Sequence, residues 1–149
     1  MTAAATVNAM VKDGSVISLD LQLHSEDGRS CVIEFKDLNG LPSRAEGSDY
    51  FKAMQQMRER LEGQGCQLLC NGARIDVWPS RMARDMALGK KAYIMCIGQK
   101  PSKDDLVDIF EQAPPETVGS VERQRAFWAE WQEWLREYAA EEKERASGT

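Results

Sequence analysis

A single histidine, His24, is all the imidazole this chain has, and that scarcity removes much chemistry at once. A Ser–His or Cys–His dyad would have to be built on His24, which falls at the end of a strand-like run beside a turn. A tetrahedral zinc site would need His24 plus cysteines from three separate segments, and the spacing of Cys66, Cys70 and Cys96 matches no finger or ribbon. Asn71-Gly72 is the nearest approach to a phosphate loop and lacks its length and its lysine. No catalytic residue, metal or cofactor is expected.

Long apolar runs are missing too. No stretch approaches the ~20 residues of a membrane span. The first residues, MTAAATVNAMVKDG, carry neither a basic leader nor a continuous apolar region. The expectation is a cytoplasmic protein with reduced thiols, whose cysteines (Cys31, Cys66, Cys70, Cys96) lie in apolar strand-like runs and pack as small hydrophobes. Positive charge is in deficit: 19 Lys and Arg face 24 Asp and Glu, for a net charge of −5. Nonspecific nucleic-acid binding, which rests on cations neutralising phosphates, is therefore not expected. The deficit is uneven. Residues 81–103 hold six basic side chains and one acidic, whereas residues 104–149 hold five and twelve. A basic loop thus sits inside an acidic protein, an asymmetry that bears on partner choice.

What is present suffices for one core. A chain of 149 residues buries roughly 68–70% of its unfolded surface and needs no disulfide or metal to fold. We read one domain over residues 1–145 and a disordered tail at 146–149. Thr6 to Val11, Val16 to Leu23 and Cys31 to Phe35 form a three-stranded meander. The turns fall at Lys12-Asp13-Gly14, with its hairpin-favouring Asp-Gly pair, and at Glu26-Asp27-Gly28. Within the second strand Ile17, Leu19, Leu21 and Leu23 alternate with polar residues, the mark of a half-buried strand. Residues 39–47 read as a polar connection. Ser48 or Asp49 then caps a helix to about Leu61, with Tyr50, Met54, Met57 and Leu61 on one face.

Cys66 to Gly98 is the densest segment. Two strand-like ends, Gln67 to Cys70 and Ala92 to Ile97, enclose a short strand at Ile75 to Trp78 and a helical turn from Arg81 to Leu88. In that turn Met82 and Met86 pair, and Arg81, Arg84 and Asp85 face away. Arg81, Arg84 and Asp85 belong either to a solvated loop with an internal Arg–Asp pair or, with Lys90 and Lys91, to an anion- or carboxylate-binding patch. A short helix follows Pro101, opened by Ser102 and Asp105 at capping-box spacing and carrying Leu106, Val107, Ile109 and Phe110. The last element is a helix from about Ser120 to Lys143, in which Phe127, Trp131, Trp134 or Leu135, and Tyr138 form a core face, while Trp128, off that line, either joins the core with them or faces a partner. The order βββ-α-ββ-αα is that of an α+β protein: a mainly antiparallel sheet of about five strands, with helices packed on one face.

In the run LLCNGARIDVWPSRMARDM followed by GKKAYIMCIG, the chain resembles small bacterial immunity-type proteins associated with Rhs and type VI secretion toxins. The resemblance extends from about Phe51 to Phe110 and takes in the aromatic last helix. It implies a non-enzymatic protein whose partner is a cognate toxin bound in the cytoplasm, and it assigns no catalytic residue. On that basis the partner-binding candidates are Trp128, Glu130 and Glu133 from the last helix and Arg81, Arg84 and Lys90 from the loop. A homo-oligomer stays open. Two other readings stand beside this one. An adaptor or chaperone for a secreted effector would show a large exposed apolar patch. A small enzyme acting on an anionic substrate would bring Arg74, Asp76, Ser80 and Arg84 together in a pocket.

Overall fold

The computed structural model describes residues 2–26 and 30–148 and has the expected α+β architecture. Strands β1 (Thr2–Met10), β2 (Val16–Glu26) and β3 (Ser30–Lys36) form the antiparallel meander. Asp13 builds the first turn: its carboxylate accepts from the Ser15 N–H (2.8 Å) and hydroxyl (2.5 Å), while Gly14 supplies a φ of 86°. These two bonds hold the Asp13 carboxyl below its ordinary pKa. The second predicted turn rests on Asp27 and Gly28, and the tail on Thr149, all outside the described residues.

The segment read as a polar connection contains a fourth strand, β4 (Pro42–Gly47), paired with β3 from Lys36↔Pro42 to Cys31↔Gly47. Its inward residues are Ser43 and Ala45, both buried. Small residues are needed there because a helix crosses close above: a Cβ on Gly47 would lie 2.6 Å from the Ala53 nitrogen. That helix is α1 (Tyr50–Glu62), capped by Asp49, which accepts from the Lys52 N–H. A two-residue strand, β5 (Gln67–Leu68), completes the sheet order β4-β3-β2-β1-β5. Val7, Leu21, Leu23, Ile33 and Phe35 from the sheet join Met54, Met57 and Leu61 of α1 in one core.

The rest of the chain departs further from expectation. The two strand-like ends of the 66–98 segment belong to different sheets. Gln67–Leu68 joins the large one, while β7 (Lys91–Ile94) lies between β6 (Val77–Trp78) and β8 (Leu106–Asp108) in a second, three-stranded sheet. The helix expected after Pro101 is absent. Ser102 and Asp105 do form their capping box, but it opens only one 3-10 turn (Lys103–Asp105) before Leu106 and Val107 pair with Tyr93 and Ala92. Helix α2 (Arg81–Ala87) ends on Leu88 in the left-handed region, and Met82 and Met86 are exposed. Cys31, Cys66 and Cys70 are buried, and burial pushes their thiols up, that of Cys70 to about 11. Cys96 is exposed, against the expectation for a strand cysteine.

Helix α3 (Val121–Ser147) spans roughly 40 Å and runs two residues into the stretch read as tail. Only Val121 and Gln124 of it are buried. Its aromatic stripe is thus not core: Phe127, Trp131, Trp134, Leu135 and Tyr138 are half-buried, and residues 139–147 are exposed throughout. No helix among the described residues is long and apolar enough to cross a membrane.

Candidate functional site

The first turn of α3 is fastened by a buried arginine. Arg58, 1% exposed, donates through Nη1 to the Gly72 carbonyl (3.1 Å) and Gln124 Oε1 (2.6 Å), and through Nη2 to the Gly119 carbonyl (2.8 Å). Burial pulls its pKa down to about 10, which leaves it charged at neutral pH. Gln124 Nε2 in turn donates to the carbonyls of Gly72, Arg74 and Val77. Ser120 caps the helix by accepting from the Arg123 N–H, and Glu62 accepts from the Val121 N–H (2.9 Å). These bonds fix where α3 starts and in which direction it leaves.

That direction opens a groove of about 830 Å³ between α2 and α3. Trp78, at the end of β6, stacks on Trp128 (centroids 4.6 Å apart, 18° between planes) and meets the Phe51 ring edge-on at 5.0 Å. The Arg84 guanidinium lies over both Phe51 (5.6 Å) and Trp78 (5.8 Å), and its Nη1 donates to Asp49 Oδ2 at 2.5 Å. Asp49 is buried and serves both partners, with one oxygen on the α1 cap and the other on Arg84. The rigid floor is therefore arginine on tryptophan on tryptophan. Lys52 and Arg81 stand exposed at its rim, and Trp131 closes the α3 side while donating its Nε1–H to the Gln99 carbonyl (3.3 Å).

Of the six sequence candidates, the structure brings three together: Trp128, Arg81 and Arg84 all line the groove. The internal Arg–Asp pair expected within this loop does not form among the described residues: Arg84 pairs with Asp49, from outside the loop. Lys90 lies outside the groove, its Nζ 5.0 Å from the Tyr50 ring centroid. Glu130 and Glu133 are exposed on α3, outside the groove. Trp128 is half-buried against Trp78 and not freely exposed. The residues proposed for an anion-binding pocket do not converge as a set. Arg74 makes a two-point contact with Asp76 (2.8 and 3.0 Å), and Ser80 caps α2. The described residues contain no group of three or more His, Cys, Asp or Glu side chains placed to hold a metal. Trp78 and Lys52 are groove residues that sequence reasoning missed. The only local signal was a tryptophan ending a strand just before Pro79 and the arginines.

A scan against protein-family models finds no match to this chain, and a search of curated proteins finds none either.

Proposed function

We propose that this protein is a binding module that seats a protruding segment of a partner protein in the α2–α3 groove. We further propose that it acts as a non-enzymatic immunity protein, holding a secreted antibacterial toxin inactive in the cytoplasm. The observation that carries the reading is the pinned Arg84–Trp78–Trp128 stack. Tryptophan and arginine dominate binding energy where they are held rigid in a recess ringed by polar groups, and here both are fixed before any partner arrives. Lys52 and Arg81 at the rim, which make no ion pair among the described residues, suit a partner segment that presents a carboxylate beside an apolar side chain. Met82 and Met86, exposed one turn apart on α2 and outside the groove lining, add soft apolar contact area on the same helix. Glu130, Glu133 and Glu137 on the exposed flank of α3 supply a second, acidic contact to a basic toxin surface. The sequence resemblance supports the immunity role. The adaptor alternative gains less, because the other large exposed apolar side chains (Val16, Leu41, Ile97, Leu106) sit singly on separate elements.

Co-expression with the product of the adjacent gene tests the reading. Growth rescue and a co-purifying complex are expected, and Arg81→Glu should weaken that complex about tenfold or more without moving the unfolding midpoint. If Arg81→Glu binds normally while Glu130→Lys with Glu133→Lys does not, the partner sits on the flank and the groove assignment fails. If the neighbour is harmless and no complex forms, the immunity role fails.

A further inference from the structure

The two edges of the large sheet are finished differently. On β4 the outward backbone groups belong to Pro42, Arg44 and Glu46, since the odd-numbered residues bond β3. Proline has no N–H to offer, the Glu46 N–H is taken by Gln56 Oε1 of α1 (2.6 Å), and the exposed side chains are charged. These are the devices by which proteins close a sheet edge. On β1 none of them is present. Strand β5 pairs only with Ala9 and Met10, and the Asn8 carbonyl accepts from Leu69 N–H. The Val11 N–H, by contrast, bonds Ser15 across the hairpin. The alternation therefore turns the N–H and C=O groups of Thr2, Ala4 and Thr6 outward, where no backbone partner meets them among the described residues. Thr2, Ala3, Ala4 and Thr6 are exposed, and the stretch Thr2 to Val7 holds no charge and no proline.

We propose that this edge pairs with the same edge of a second copy of the chain, joining two five-stranded sheets antiparallel across a two-fold axis at Ala4. The edge complements itself in that register. Ala4 faces Ala4 and Thr2 faces Thr6, each pairing exchanging two N–H···O bonds, and on the inner face Ala3 meets Ala5. Every opposed pair is small and uncharged, so neither bulk nor like charge opposes the contact. The register also ends where it must. Thr6, facing Thr2, is the last residue with a counterpart in the described partner strand, and β5 begins to occupy the edge two residues further on, at Asn8. The groove lies on other elements, so this pairing is independent of the toxin-binding proposal.

Light scattering on the full chain, from low micromolar to submillimolar concentration, is the test. A concentration-dependent dimer is expected. Ala4→Pro removes one outward N–H per chain and none of the β1–β2 bonds, and should weaken the dimer about tenfold or more. Ala4→Lys sets like charges face to face and should weaken it as well, whereas Ser18→Lys, away from the edge, should not. In a C96S background, A4C should form an interchain disulfide on mild oxidation, because opposed hydrogen-bonded residues sit about 5.5 Å apart at Cα, within disulfide reach. The S18C control should not. A chain monomeric at every concentration overturns the proposal, as does a dimer that both Ala4→Pro and Ala4→Lys leave intact.

Discussion

Helix α1 carries two inward-facing stripes about 100° apart, and they hold the molecule together by different means. One stripe, Tyr50, Met54, Met57 and Leu61, is at most 2% exposed and belongs to the apolar core beneath the sheet. The other, Phe51, Gln55, Arg58 and Glu62, reaches Trp78, the carbonyls of Gly72 and Gly119, Gln124 and the first N–H of α3. Apolar burial is non-directional and scales with area. Hydrogen bonds from a planar guanidinium to three fixed acceptors are directional. The first stripe thus supplies most of the stability, and the second sets the angle at which α3 leaves and hence the shape of the groove.

Cutting each stripe separately tests this division. Leu61→Ala should have the largest effect, about 2–5 kcal/mol of lost stability, read as a lower urea midpoint with the tryptophan environment of the folded protein unchanged. Arg58→Met should cost less, about 2–3 kcal/mol, because it leaves the Gly119 carbonyl buried without its donor and Gln124 Oε1 with only the long contact from Gln55. Its loss should be local. Amide exchange should rise over residues 71–78 and the first turns of α3, with β1 to β3 still protected. If α3 stays as protected in Arg58→Met as in the parent, the polar stripe does not fasten it and the division collapses.

The apolar stripe was legible in the sequence and the polar one was not. Tyr50, Met54, Met57 and Leu61 announce themselves by helical spacing. Gln55 and Arg58 look like solvent residues until their partners, 66 to 69 residues away, are known. Strand β4 escaped for a related reason. Its inward positions are Ser43 and Ala45, small because α1 presses close, so hydrophobic alternation was silent. Strand β8 was misread because Leu106, Val107, Ile109 and Phe110 also satisfy a helical face, and pairing with β7 overrode the local pattern. In the groove, Arg81, Arg84 and Trp128 were legible by residue type. Asp49 was legible only as a cap, since its second bond crosses 35 residues to Arg84.

The smallest expected effect is the sharpest check on where the polar stripe begins. Gln55 Nε2 lies 3.5 Å from Gln124 Oε1, the longest contact in the network. That oxygen already accepts from Arg58 at 2.6 Å, and the Gln124 amide is committed to three carbonyls. Replacing Gln55 with leucine therefore deprives no buried group of its only partner and keeps most of the volume. The expected change in stability is within about 1 kcal/mol, with the near-ultraviolet dichroism of the stacked Trp78 and Trp128 intact. A cost equal to that of Arg58→Met would mean that the two glutamines and the arginine act as one unit, so that the directional attachment of α3 is shared along the stripe and not concentrated in Arg58.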